Sequence, residues 1–119
     1  MTGSSVAEEY GDGTVGALLG FRGFAAQAAR LVARGRRAFD SDEMLRLAGD
    51  AVVVKLGASV ARMDERVVAD HPELLLRLVK EMHNLVAHEY DAIRPAIVWN
   101  ALERELPVID ELIAVLLDG

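Results

Sequence analysis

The chain has 119 residues, a length that suits one compact domain with a hydrophobic core of its own. Cysteine is absent, which excludes disulfides and thiolate metal sites, and this fits the reducing cytoplasm in which we expect the protein to work. No apolar run approaches the roughly 20 residues of a membrane-spanning helix, so we expect no membrane partner. The formal net charge of -6 argues against a general affinity for nucleic-acid phosphates.

The charges are unevenly distributed along the chain. Residues 13–39 contain five arginines and no acid, whereas the rest of the chain has eight basic and 19 acidic residues. One interpretation is a solvated helix end whose cations favour the helix dipole. The other is a basic patch for an RNA backbone or an acidic partner. The five are Arg22, Arg30, Arg34, Arg36 and Arg37.

The first helix is predicted from about Thr14 to Arg34, where apolar residues recur at helical spacing. Residues 1–13 contain glycine, serine and acids with few large apolar residues, which predicts a flexible leader. The helical domain is therefore expected to span residues 14–119.

Two further helices follow from cap signals. Asp40 or Ser41 is expected to cap a second helix that runs to about Val68. Asp70 and Pro72 are expected to open a third, with aspartate as the cap and proline in the first turn. The buried face of the third helix is predicted to consist of Leu75, Leu78, Val79, Met82 and Val86.

A fourth helix is predicted after a short connection at residues 91–94, with Pro95 in its first turn. Pro107 is expected to kink this helix or to split it in two. No segment has both strand character and a partner strand. The sequence thus predicts an all-α, up-and-down bundle of four to five helices.

The stretch EMHNLVAHEYDAI, residues 81–93, places polar side chains in an otherwise aliphatic helix. His83 and His88 are five residues apart, about 140° around a helix, so they are badly placed to share a metal ion, and we expect neither a metal nor a cofactor. Asn84 and His88 are predicted to lie opposite the buried face, together with Arg77 and Glu81. A histidine can accept the proton of a ribose 2'-hydroxyl, although this spacing also describes the ordinary polar end of a helix.

The same stretch, followed by VWNALERELPVIDELI at residues 98–113, resembles the C-terminal signature of HepT-like proteins in the HEPN group of small helical ribonucleases. DEMLRLAGDAVVVKLGASV, at residues 42–60, is similar in spacing to the second long helix of the family, including Gly57. Asn84, His88 and Tyr90 match the motif positions. His83 stands where the family has arginine, and Ala58 where relatives often have glutamate.

The resemblance implies a HEPN-like fold and the toxin of a toxin–antitoxin pair, a dimeric and metal-independent endoribonuclease that cuts RNA. Its partner would be an MntA-like nucleotidyltransferase antitoxin, which in this family can transfer AMP to the motif tyrosine, here Tyr90. The catalytic residues would be His88, His83 and Asn84. The expected RNA contacts are Arg77, Arg94, Arg34, Arg36 and Arg37.

Two other hypotheses remain open at this stage. The first is a catalytically silent helical subunit that binds a nucleotidyltransferase through the same face, because histidine cannot fork onto a phosphate as arginine does. The second is an unrelated helical adaptor, in which Asn84, His88 and Tyr90 would point in unrelated directions.

Overall fold

The fold is described by a computed structural model that covers residues 3–88 and 94–118. Eight α-helices, one short 3-10 helix and one π-helical turn follow one another in these ranges, and neither range contains a strand. The predicted all-α fold is therefore confirmed. The α-helices are α1 (Gly3–Tyr10), α2 (Asp12–Val32), α3 (Arg36–Ser41), α4 (Glu43–Ala61), α5 (Arg66–Asp70), α6 (Leu76–Ala87), α7 (Arg94–Asn100) and α8 (Leu106–Asp118).

The predicted flexible leader is helical from Gly3 onwards and belongs to the domain, which corrects that expectation. Val6 and Tyr10 of α1 are buried in the core. The Tyr10 hydroxyl donates a hydrogen bond of 2.7 Å to the Asp70 carboxylate, 60 residues further along the chain. Burial of these two side chains holds a segment that composition alone described as flexible.

The predicted first helix corresponds to α2, and glycines separate it from its neighbours. Gly11 precedes it with a φ of 93°, and Gly35 precedes α3 with a φ of 90°. L-residues with a side chain rarely adopt this conformation, so glycine permits the chain to turn at both points. One face of α2 buries Leu18, Phe21 and Ala28 in the core.

The second predicted helix is shorter than expected and has a different cap. The side chain of Asp42, rather than that of Asp40 or Ser41, accepts the Met44 N–H at 2.9 Å and begins α4. The helix ends at Ala61 instead of Val68, and after a turn in which the Asp64 side chain accepts the Arg66 N–H at 2.9 Å, the short helix α5 begins at Arg66. Asp40 lies inside the short helix α3.

The third predicted helix is divided near its start. Residues 72–74 form a 3-10 turn, Leu75 has a left-handed backbone with a φ of 56°, and α6 begins only at Leu76. Leu75 is therefore exposed and Leu76 is buried, the reverse of the predicted pattern. The rest of the predicted face is buried or half-buried, as expected.

The long helix α4 runs antiparallel to both α2 and α6. Thr14 near the start of α2 accepts the Asp64 N–H beyond the end of α4, at 2.8 Å. His83 near the end of α6 lies against Gly57 near the end of α4, and Arg94 pairs with Asp50 further back along α4. Helix α4 thus contacts the chain both before and after His88.

The fourth predicted helix runs through α7 and α8, with a π-helical turn at Ala101–Glu105 between them. Pro107 lies one residue into α8, directly after this turn. Proline has no N–H to donate to the preceding turn, and the wider π turn is where the helix absorbs the mismatch. The expected interruption is therefore present, as a π turn rather than a break.

Among the described residues, no helix is both long enough and apolar enough to cross a membrane.

Candidate functional site

His83, the residue at the motif's arginine position, lies at the crossing of α4 and α6. A methyl group built on Gly57 would stand 2.8 Å from His83 Cδ2 and 2.9 Å from Cγ, closer than carbon atoms can approach. The ring is half-buried in the space that the glycine leaves. The sequence predicted His83 at the edge of the buried face of its helix, and the structure shows that it packs against α4.

Asn84 and His88 lie on the exposed face of α6 together with Arg77 and Glu81. These four residues are spaced four, three and four apart, so they form one stripe along the helix. This arrangement is the one predicted from helical geometry. Within this stripe the charged side chains of Arg77 and Glu81 lie N-terminal to the motif residues Asn84 and His88.

His88 is the C-terminal cap of α6, and its side chain is oriented by the helix itself. Its Nδ1 atom lies 2.7 Å from the backbone carbonyl oxygen of Asn84. A carbonyl oxygen can only accept, so Nδ1 must carry the hydrogen and donate it. In the neutral ring the basic lone pair then belongs to Nε2, the atom that can take up a proton.

Arg94, one of the expected RNA contacts, is held against α4. Its guanidinium lies 3.3 Å from the Asp50 carboxylate, and about four-fifths of each side chain is buried. With His83 against Gly57, this ion pair fixes the chain to α4 on both sides of His88. Tyr90 lies between these two contacts in sequence but outside the described residues.

The N-terminal arginines lie on α2, on α3 and in the turn between them, and the structure gives them other neighbours than the motif. Arg36 pairs with Asp40 at 3.2 Å within α3, and Arg22 pairs with Asp110 of α8 at 3.0 Å. Arg34 lines a groove between α2 and α4, and Arg37 is exposed on α3. The interpretation of this stretch as a simple solvated helix end accounts for only some of its five cations.

His71, the third histidine, belongs to a polar cluster away from the motif stripe. Its Nε2 lies 3.2 Å from the Tyr10 hydroxyl and its Nδ1 lies 3.0 Å from the Glu73 carboxylate. Burial, together with the hydrogen bond to Asp70, raises the pKa of Tyr10 to about 12. The arrangement ties α1 to the segment between α5 and α6.

Within residues 3–88 and 94–118, no three histidine or carboxylate side chains are grouped as ligands of a metal ion.

A comparison of the sequence with protein-family models shows to which family the chain belongs. A model described as "Ribonuclease HepT-like" matches residues 23–116. The chain belongs to the HepT-like ribonuclease family. This HEPN-type toxin family is the one that the motif resembles, and it agrees with the all-α fold. A comparison with curated proteins finds no match, and neither does a comparison with solved structures.

Sequence reasoning missed two parts of this HepT-like chain. It did not identify Asp50 as the partner of Arg94, and nothing in the local pattern singles out that carboxylate. It also missed that Lys55 of α4 joins Arg30 and Arg34 around one groove. The spacing of Arg30 and Arg34, four apart on one helix face, was the only signal available.

Proposed function

We propose that this HepT-like chain is the toxin component of a toxin–antitoxin pair and a metal-independent endoribonuclease in which His88 is the general base. The observation that carries the proposal is the hydrogen bond of 2.7 Å from His88 Nδ1 to the Asn84 carbonyl, on an exposed helix face. It leaves Nε2 as the basic nitrogen and fixes the plane of the ring.

The reaction would be an internal transesterification of RNA. His88 Nε2 takes the proton of a ribose 2'-hydroxyl, and the oxygen attacks the adjacent phosphorus. The bond to the 5'-oxygen of the next nucleotide breaks and this oxygen takes a proton from water, which gives a 2',3'-cyclic phosphate and a 5'-hydroxyl end. Asn84 and His83 are proposed to contact the phosphate oxygens, and Arg77 to attract the RNA backbone along the same face.

The test is cleavage of a short single-stranded RNA by the purified protein over a range of pH, with detection of the cyclic phosphate. His88→Ala is expected to lower the rate by at least about 100-fold. Glu81→Ala, on the same exposed stripe, is the matched control and should retain activity. Equal cleavage by wild type and His88→Ala would refute His88 as the base.

Dimerisation is part of the proposal and rests on an apolar stripe of α4. Met44, Leu47 and Val54 are exposed by 70%, 52% and 41% and are spaced three and seven residues apart, as in a helix–helix seam. Along α4, Val54 lies between Asp50, which pairs with Arg94, and Gly57, which contacts His83. A second copy seated on this α4 stripe would therefore border the face that carries His88.

Replacement of one stripe residue by an acid tests this dimer. Leu47→Glu should give a monomer in sedimentation or light scattering. Leu19→Glu replaces a side chain of similar exposure, 56%, on α2 outside the stripe, and should leave the dimer intact. A Leu47→Glu protein that remains dimeric would exclude the α4 stripe.

The antitoxin is proposed to be an MntA-like nucleotidyltransferase in the same cytoplasm, which transfers AMP from ATP to the Tyr90 hydroxyl and releases pyrophosphate. A bulky anionic group there would repel the RNA backbone. Co-expression with a candidate antitoxin and intact mass measurement tests this step. A single AMP that is absent from Tyr90→Phe is the expected result, and an unchanged mass would count against it.

A catalytically silent subunit that binds the nucleotidyltransferase is the second candidate, and the position of His83 favours it. A ring packed on Gly57 is half-buried at a helix crossing, where arginine would present a permanent charge. This candidate predicts normal binding of the antitoxin with no RNA cleavage at any pH. Toxicity on expression that is relieved by His88→Ala would exclude it.

A further inference from the structure

A groove of about 630 Å³ lies between the C-terminal half of α2 and the N-terminal half of α4. Its floor is aliphatic and aromatic, and its rim is basic. The α4 wall runs from Leu45 to Lys55, a rise of about 15 Å, or roughly three helical turns. The lining residues are Phe24, Gln27, Arg30, Leu31, Arg34, Leu45, Ala48, Ala51, Val52 and Lys55.

The cations on this rim are not used by the fold. Arg30 lies near the end of α2, Arg34 lies in the turn directly after it, and Lys55 lines the groove from α4. All three residues are exposed, and within the described part of the chain none of their side chains has a hydrogen bond or an ion pair. Arg22 and Arg36 of the same basic stretch do have internal carboxylate partners.

The groove holds an uncompensated positive charge on a protein that is negative as a whole. No carboxylate of the described residues lines it. Its net charge is thus opposite to the formal charge of -6 of the full chain. Because opposite charges across an interface guide association and select the partner, the rim favours a negatively charged occupant.

The side chains of the floor favour one of two negatively charged ligands, RNA or an acidic protein segment, over the other. Single-stranded RNA binds where successive bases can stack on aromatic side chains, and Phe24 is the only aromatic residue among those that line this groove, where it is half-buried. Leu31, Leu45 and Val52 instead form an aliphatic surface, on which leucine-type side chains of a helix can pack. A three-turn trough with an apolar floor fits the helix-in-groove mode of recognition.

We propose that the groove between α2 and α4 is a docking site for an acidic amphipathic helix of a partner protein. The leucine face of that helix would lie on the floor, and its carboxylates would pair with Arg30, Arg34 and Lys55. The site is separate from the α6 stripe and requires neither RNA cleavage nor modification of Tyr90.

The experiment uses the full chain and a synthetic, fluorescently labelled peptide that is stapled into a helix of about four turns, with leucine on one face and glutamate on the flanks. The same peptide with lysine in place of glutamate is the control ligand. Fluorescence anisotropy should show that the glutamate peptide binds at least about tenfold more tightly. Equal affinity for the two peptides, or binding of neither, would overturn the proposal.

Charge reversal on the protein locates the site. The double variant Arg30→Glu/Arg34→Glu should weaken glutamate-peptide binding by about tenfold, and Lys55→Glu on the opposite wall should weaken it as well. Arg37→Glu changes an arginine that is also exposed but lies outside the groove, and it should leave the affinity unchanged. Loss of binding in Arg37→Glu to the same extent would show a general charge effect and refute the groove.

Two further outcomes identify other occupants. If an oligouridine of eight nucleotides displaces the peptide and itself loses affinity in Arg30→Glu/Arg34→Glu, the groove binds RNA and the proposal is wrong. If the same variant dissociates the protein in sedimentation, a second copy fills the groove, and the proposal is again wrong. Each variant should have the same midpoint temperature of thermal unfolding as the wild type, which would confirm that these exposed changes leave the fold intact.

Discussion

The imidazole of His83 lies against the backbone of Gly57, where any side chain larger than hydrogen would collide with it. The residue at the motif's arginine position is thus part of the packing between α4 and α6, and its neighbour Asn84 is exposed. The two adjacent motif residues have different surroundings, and each can be altered separately.

Gly57→Ala should lower the free energy of unfolding by about 1–3 kcal/mol, because the new methyl group would stand 2.8 Å from the His83 ring. Urea unfolding of the two proteins measures this difference. In a His83→Ala background the collision is removed, so the same change should be neutral or slightly stabilising.

Gly23→Ala is the matched control, because this glycine of α2 is exposed and a methyl there meets nothing within 4 Å. It should stabilise the protein by about 0.5–1 kcal/mol through helix propensity. An equal loss of stability in Gly57→Ala with and without His83 would mean that the ring does not occupy this space.

His83→Arg should increase RNA cleavage by about tenfold if the chain is a weakened nuclease, since a guanidinium is always charged and binds two phosphate oxygens at once. The stem of arginine can lie over Gly57 while its head reaches solvent, so the fold should tolerate the change. Single-turnover cleavage of a labelled RNA gives the rate.

The control for this gain is His83→Arg/His88→Ala, which should be inactive because the base is missing. A rate unchanged by His83→Arg, with the fold intact, would show that the missing arginine is not what limits the enzyme. A gain that persists without His88 would assign the chemistry to another residue.

The sequence predicted the long helices and the exposed stripe of α6, because both depend on periodicity within a single helix. Arg77, Glu81, Asn84 and His88 are exposed as expected. The position of His83 could be predicted only as an angle around α6. The contact between His83 and Gly57 depends on how α4 packs against α6, and the local sequence pattern of α6 does not predict this packing.

The helix ends were the weaker part of the prediction, for two physical reasons. Asp40, Ser41 and Asp42 are consecutive residues that can all cap a helix, and the choice of Asp42 depends on where α4 meets the core. Leucine rarely adopts the left-handed backbone found at Leu75, so no sequence rule would place a break there. Burial of Val6 and Tyr10 likewise follows from distant contacts.

Thr14→Val should destabilise the protein by about 1–3 kcal/mol, because it removes a buried hydroxyl that makes two hydrogen bonds. The Thr14 hydroxyl accepts the Asp64 N–H at 2.8 Å and donates to the Tyr10 carbonyl at 3.2 Å. Valine keeps the shape and leaves both groups unpaired. Chemical denaturation measures the loss, and Thr14→Ser, which keeps the hydroxyl, should recover part of it.

The stability of the protein should fall in strongly alkaline solution because of Tyr10. Its pKa is raised from 10.0 to about 12 in the folded protein, mainly by burial and then by the hydrogen bond to Asp70. Below pH 10 the phenol is neutral in both states, so its contribution is fully present. As the pH rises towards 12, the unfolded chain loses the proton and the folded chain retains it, which favours unfolding.

Because one proton is involved, Tyr10 can lower the free energy of unfolding by at most about 1.4 kcal/mol per pH unit in this range. Guanidinium unfolding between pH 9 and pH 11.5 measures it, and Tyr10→Phe removes the titrating group while keeping the ring. The difference between the two proteins removes every contribution that they have in common. A wild-type curve that parallels that of Tyr10→Phe would show that the phenol ionises equally in the folded and unfolded states, and that its bond to Asp70 does not hold α1 in place.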